Sequence, residues 1–234
     1  MLEIVSDLGS TNSALLARIG RGAAPGEGHW LIADRQTAGR GRAGRVWNDG
    51  LGNFMGSTVV HVRPGDPLAP GLSLVAGVAA HRALGPIAGL MLKWPNDILV
   101  DGAKLAGILL ERHGDAIVVG IGVNLAQAPD LPDRRTVSLA ALGHATGRDA
   151  FAEALAGEWQ AALDHWRDGG WPDLRDQWLA RAHPRGALLS VRDADGTPVI
   201  GAFAGLDADG AALIRLADGT RRAIHAGDME LVGE

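Results

Sequence analysis

The chain alternates short apolar runs with polar or glycine-rich breaks, and the spacing of the runs changes twice. "HWLIAD", "GNFMGSTVVHV" and "AIVVGIGVNL" are apolar stretches of strand length bounded by turn residues. Residues 72 to 84 form a longer apolar segment that predicts a helix. "LMLKW" and "ILV" predict two short strands flanking the turn Trp94-Pro95-Asn96-Asp97. Asp101-Gly102, between "DILV" and "AKLAGILLE", is a strong signal for a two-residue hairpin, which brings Lys104 back beside the strand after Lys93. "SDLGSTNSALLARI" reads as a loop entering a short helix, with Ser10-Thr11-Asn12 at its N-terminus.

From residue 149 to 168 the apolar positions take up helical spacing, at Phe151, Leu155, Trp159, Leu163 and Trp166, the pattern of a core-facing stripe. Leu174 and Trp178 predict a second, shorter helix. After His183-Pro184 the pattern shifts again. Asp195-Gly196, Asp209-Gly210 and Asp218-Gly219 punctuate the short runs "LLSVR", "PVIGAFAGL", "AALIRL" and "RRAIHA". Turns this dense predict a small antiparallel sheet or barrel of about fifty residues. The expected division is 1–183 and 184–234.

Composition narrows the function classes. A net charge of −5 argues against a general nucleic-acid binder, which needs a broad positive excess. The absence of cysteine excludes disulfides and thiolate metal sites. The N-terminus lacks a basic and apolar leader pattern, and the most apolar long stretch, 72 to 92, is interrupted by His81, Arg82 and Pro86. The expectation is a cytoplasmic protein that binds neither DNA nor membrane.

The basic residues are more telling. Of 22, only Lys93 and Lys104 are lysines, and both fall within "KWPNDILVDGAK". In a chain that otherwise uses arginine, these positions are expected to need a compact ammonium rather than a planar fork. "QTAGRGRAGRVW", residues 36 to 47, sets Arg40, Arg42 and Arg45 among glycines. The backbone there can approach a ligand closely, and the loop reads either as an anion clamp or as a mobile solvated loop.

Four polar clusters therefore sit at loop or strand-end positions: Ser10-Thr11-Asn12, Gln36 to Trp47, Lys93 to Lys104, and Gly120 to Asn124. Arginines and lysines with polar donors suit an anionic substrate or a phosphoryl group. There is no GxxxxGK[ST] phosphate loop, and "GIGVN" lacks the rest of a dinucleotide fingerprint. His61, His81 and His113 have no paired nucleophile and read as surface or packing residues.

In this order, "STN", "QTAGRGRAGRVW", "GNFMGS", "KWPNDILVDGAKLAGIL" and "GIGVNL" resemble the motif set of the biotin protein ligases, over essentially the whole chain. The pattern is similar to the short form, without the N-terminal helix-turn-helix of the long form. The resemblance implies an α/β (α+β) fold: a mixed β-sheet backed by helices, followed by a small SH3-like β-barrel. It implies a two-step reaction with ATP, biotin and Mg2+. Biotin and ATP give biotinyl-5′-AMP and pyrophosphate, and biotin then passes to a lysine of the biotin carboxyl carrier protein of acetyl-CoA carboxylase, and of other biotin-dependent carboxylases. The first step brings two anions together, a repulsion of roughly 4 kcal/mol at 4 Å for an effective dielectric of 20. Fixed cations have to offset it.

Carried over by position, Ser10, Thr11, Asn12 and Gln36 match biotin contacts, and Arg40, Gly41 and Arg42 the loop that closes over biotin and its adenylate. Lys104 matches the lysine at the carboxylate and phosphate, and Gly107 a close-packed wall. Arg42 and Lys104 are the expected catalytic residues. Arg40, Trp47, Lys93, Asn96, Asp97, Lys104 and Asn124 are expected on the ATP side. Met55 departs from the tyrosine of many relatives and is expected to reshape the pocket wall slightly. Metal ligands are not given by the pattern, and both a monomer and a homodimer stay open. Two other readings remain: a lipoate–protein ligase or octanoyltransferase, against which the GRGRxGR loop speaks, and a module that binds biotin without turnover.

Overall fold

The computed structural model describes residues 1–192 and 197–232. The expected turn at Asp195-Gly196 lies outside them. A seven-stranded mixed sheet has the order β1-β2-β3-β7-β6-β5-β4. Its strands are β1 (Leu2–Leu8), β2 (Trp30–Gln36), β3 (Phe54–His61), β4 (Leu90–Lys93), β5 (Asp97–Val100), β6 (Ala103–His113) and β7 (Ala116–Val123). Only β1 and β2 are parallel; the other neighbours run antiparallel. At the β5–β6 hairpin, Asp101 and Gly102 both have positive φ, 47° and 78°, the conformation that Asp-Gly favours and that matches strand twist.

Helix α1 (Thr11–Gly20) covers one face of the sheet; α2 (Leu72–Leu84), α3 (Arg148–His165) and α4 (Trp171–Leu179) lie on the other. In β2, Leu31 packs with Leu15 of α1, while Trp30 and Ile32 join the core on the α2–α3 side. Covered on both faces, β2, β3 and β7 read as continuous apolar runs instead of alternating ones. The five residues of the predicted helical stripe, Phe151 to Trp166, are all buried.

A second, antiparallel sheet of five strands forms the small SH3-like unit, in the order β11-β10-β9-β8-β12. It comprises β8 (Leu188–Arg192), β9 (Pro198–Leu206), β10 (Ala212–Arg215), β11 (Arg221–Ile224) and β12 (Met229–Leu231). Its buried residues, among them Val191, Phe203 and Ile214, belong to the same continuous hydrophobic core as the first sheet. The turn at 207–210 is held from the larger unit. Trp94 Nε1 donates to Gly210 O (3.1 Å), Trp171 Nε1 to Ala208 O (2.6 Å) and Arg175 to Asp207 O (3.2 Å).

Two elements differ from the sequence expectation. "SDL", read as loop, completes β1. This edge strand is only partly buried, so its polar and apolar positions carry no clean alternation. β12 was not anticipated, because three residues are too few to show a period.

Across the core, Arg167 makes two 2.7 Å bonds to Glu27, which also pairs with Arg63 and accepts from His61 N. The Arg167 guanidinium is the main reason the Glu27 carboxyl is held down at about 2, from an ordinary 4.5. A carboxylate so lowered adds stability above its unfolded value, and the gain is lost as pH falls through the folded value. Glu27→Gln is therefore expected to cost about 3 kcal/mol at neutral pH. Denaturant melts from pH 7 to 2 check this: the variant should lose less stability across the acid range than the native chain. Equal losses would rule the pair out as an acid-sensitive tie.

Candidate active site

A cavity of about 400 Å³ opens at the ends of the central strands on the α1 side, a size suited to a small-molecule ligand. Its polar end is built from the start of α1. Ser10 caps the helix, accepting from Ser13 N, so the loop before it is fixed. Gln36 Oε1 accepts from Thr11 N (2.7 Å) and Thr11 Oγ1 (3.1 Å). Ser57 Oγ, on β3, lies 2.6 Å from both Thr11 Oγ1 and Asn12 Oδ1. Asn12 Nδ2 donates to Glu111 Oε2 (2.9 Å) and Leu109 O (3.3 Å).

Glycines form the floor. Gly107 and Gly122 are register partners on β6 and β7, and Gly120 lies two residues along β7. A Cβ on Gly120 would stand 2.1 Å from Asn12 Oδ1, and one on Gly122 2.4 Å from the Trp47 ring. The Gly-x-Gly of "GIGVN" therefore makes room for two side chains of the site.

The Arg/Gly loop is a tight, closed hairpin. Trp47 N donates to Gly39 O and Gly41 N to Arg45 O, while Ala43 and Gly44 take positive φ, 53° and 74°. This hairpin holds the three arginines in place around the cavity, the arrangement an anion clamp needs. Arg40 pairs with Glu111, at 2.8 Å to each oxygen. Arg42 donates to Asn96 Oδ1 (3.0 Å) and Gly227 O (3.2 Å), and Arg45 pairs with Asp228 (2.8 Å) in the turn before β12.

Lys104 sits at the start of β6, where the register against β5 shifts between Ile98 and Leu99. Such a bulge re-aims the neighbouring side chain. Its Nζ donates to Asp97 Oδ1 at 2.6 Å and lies 6.0 Å from the Trp47 ring centroid. Lys104 and Asp97 are mostly buried, at 18% and 15% side-chain exposure. Asn96 Nδ2 is tied to Ile108 O, and Asn124 Nδ2 to Lys104 O and Val137 O.

Ser10, Thr11, Asn12, Gln36, Arg40, Gly41, Arg42, Trp47, Asn96, Lys104, Gly107 and Asn124 all line this one cavity. Lys93 and Asp97 do not. They face an adjoining polar cavity of about 170 Å³ that shares Arg45, Asn96, Lys104, Asp133 and Arg134 with the first. Met55 is buried but lines neither of the two.

Sequence reasoning missed Ser57, Glu111 and the segment around Leu131, Asp133 and Arg134, which closes the cavity from the far side. Arg134 carries no motif. Its segment is placed by backbone bonds, Lys104 N to Arg135 O and Val137 N to Lys104 O. Ser57 did leave a signal: with Thr58 it forms a small polar pair inside a strand that is apolar on either side. The lining carries Arg40, Arg42, Arg45, Lys104 and Arg134, each paired with a carboxylate of Glu111, Asp228, Asp97 or Asp133; these are donors an anionic ligand could draw from their present partners.

Residues 10–126 match the biotin/lipoate A/B protein ligase family, and residues 190–232 the biotin protein ligase C-terminal domain. The chain is similar to a biotin–[acetyl-CoA-carboxylase] ligase of Paracoccus denitrificans, 41% identical over 80% of this chain and 83% of that one. An enzyme of the same description from Mycobacterium tuberculosis is 37% identical, over 97% and 88%. Among solved structures, the biotin protein ligase from Aquifex aeolicus in complex with biotin and ATP superposes with a TM-score of 0.86. It is 26% identical and is matched over 98% of this chain and 97% of that one. The chain thus belongs to the biotin/lipoate A/B protein ligase family, on the branch of the biotin protein ligases.

Proposed function

We propose that the chain is a biotin–[acetyl-CoA-carboxylase] ligase. One biotin carboxylate oxygen attacks the α-phosphorus of ATP; the bond to the β-phosphate bridge breaks, and pyrophosphate leaves with the electron pair. The amine of a carrier-protein lysine then attacks the acyl carbon of biotinyl-5′-AMP. AMP leaves, an amide forms and the amine gives up a proton. The acceptor is the biotin carboxyl carrier protein of acetyl-CoA carboxylase, with carrier domains of other biotin-dependent carboxylases in the same chemical class.

The observation that carries this reading is the polarity of the single cavity. Part of the lining offers the hydroxyls and amides of Ser10, Thr11, Asn12 and Gln36, matched to a ureido group; another part offers Lys104, Arg42 and Arg134, matched to a carboxylate and a phosphate. This reading assigns to the nucleotide side Trp47, Asn96 and Asn124, which line the cavity, and Lys93 and Asp97, which line the adjoining one. Mg2+ arrives on the triphosphate as part of the substrate. Among the described residues no group of three or more His, Cys, Asp or Glu could hold a metal, so phosphate oxygens and water are the donors this reading assigns to it. No helix among the described residues is long and apolar enough to cross a membrane, and we place the reaction in the cytoplasm. The same reading divides the chain into a catalytic part, 1–183, and a C-terminal part, 184–234.

Pyrophosphate release tests it. Release is expected with biotin and MgATP, followed by label transfer to purified apo carrier domain. Release with lipoate or octanoate but not biotin would favour the lipoate-type reading. Biotin binding without release would favour a module without turnover.

A further inference from the structure

We propose that Glu111 is a positioning residue that ties the polar end of the pocket to the 39–47 loop; the proposal rests on the function given above. Glu111 does not line the cavity. It sits on β6 at 23% side-chain exposure, and it reaches the site only through two residues that do line it.

Toward the pocket, Glu111 Oε2 accepts from Asn12 Nδ2 at 2.9 Å. Asn12 is 3% exposed, and Leu109 O accepts from the same nitrogen at 3.3 Å. A carboxamide nitrogen has two donors, and both are used here, by acceptors that can only accept. The amide is thereby fixed with its oxygen toward Ser57 and the cavity, where it offers an acceptor to a ligand N–H. Toward the loop, both oxygens of Glu111 accept from Arg40 at 2.8 Å. Arg40 stands at the base of the hairpin, bridged to Val46. One carboxylate therefore sets the orientation of a pocket amide and anchors the loop that covers the same ligand.

The two links can be separated. Glu111→Gln keeps the length and one oxygen acceptor for Asn12 but loses the charge-assisted pair with Arg40. It should leave biotin affinity within about threefold and speed release of biotinyl-AMP about tenfold, the factor that corresponds to 1.4 kcal/mol. Glu111→Ala removes both links and should also weaken biotin about tenfold. Arg40→Gln combined with Glu111→Gln should release the adenylate no faster than the worse single variant, since the two act as a pair.

Biotin titration and adenylate release are measured on the full chain, with melting curves as the check of folding. A purely structural role would lower the melting temperature without splitting the two constants between Gln and Ala. Wild-type constants in folded Glu111→Gln, or additive effects in the double variant, would overturn the proposal. Should Glu111→Ala fail to fold, the Gln variant and the double variant still decide it. A native chain that releases no pyrophosphate with biotin and ATP would instead refute the ligase reading.

Discussion

Lys104→Arg is expected to slow adenylate formation by about 10²–10³-fold, although the substitution keeps the charge. The ammonium is packed between Asp97, at 2.6 Å, and the Trp47 ring. A Cβ added at Gly107 would come within 3.2 Å of Nζ, so on that side the ammonium is closely packed. A guanidinium is wider and planar, and it would pair with the Asp97 carboxylate through two donors at once. The positive charge would then be drawn toward Asp97 and away from the place where the carboxylate meets the α-phosphate. Composition points the same way, since arginine fills every basic position except 93 and 104. Single-turnover pyrophosphate release, run beside biotin affinity, isolates the step. Wild-type rates in the variant would show that any cation serves there.

The second large effect is expected at Arg42. Its guanidinium bonds to Asn96 and to the Gly227 carbonyl, and it lines the cavity beside Lys104. If these donors turn to the adenylate when it forms, one charged hydrogen bond is worth roughly 1.5–3 kcal/mol. Arg42→Gly should then release biotinyl-AMP about ten- to a hundredfold faster. Adenylation should suffer less, because the proposed role of Lys104 at the α-phosphate is left intact. Freed adenylate acylates lysines at large, so an added lysine-rich protein should become biotinylated. The enzyme itself should label weakly, having only Lys93, Lys104 and its amino terminus to offer. Adenylate dissociation and bystander labelling, followed together, check the idea. Unchanged dissociation with intact adenylation would remove Arg42 from any role in holding the intermediate.

What the sequence revealed about the site follows from where the information lies. Ser10-Thr11-Asn12, the Arg/Gly loop and Lys104 stood out by residue type, and the structure brings them to one cavity, with Ser10 as the helix cap. Lys93 stood out by composition, and Lys93 and Asp97 together by the resemblance of their turn; the structure turns them to the neighbouring cavity, on opposite strands of the β4–β5 pair. Glu111 and Arg134 stayed hidden, and the polar signal at Ser57 could not be assigned, because their meaning depends on register. Glu111 matters only once β6 lies beside β7 and α1 crosses above it. The Gly120 and Gly122 pair looked like an incomplete phosphate motif, and its role emerged only when Asn12 and Trp47 were seen to fill the space above. For the fold, helices with a full period and strands with marked turns were read correctly. The edge strand β1 and the short β12 lacked such signals.

The shared core has a thermodynamic consequence. Leu92 and Phe203, one from each sheet, belong to a single packed cluster. Neither sheet can open its interior without exposing apolar surface of the other. A ligand that binds only the native chain stabilises it by mass action, in proportion to the logarithm of its concentration over its dissociation constant. Through the common interior, that gain reaches strands that never touch the ligand. Filling the biotin cavity should thus slow amide exchange in β9 and β10 as well as in β6 and β7, and the small sheet becomes a remote gauge of occupancy.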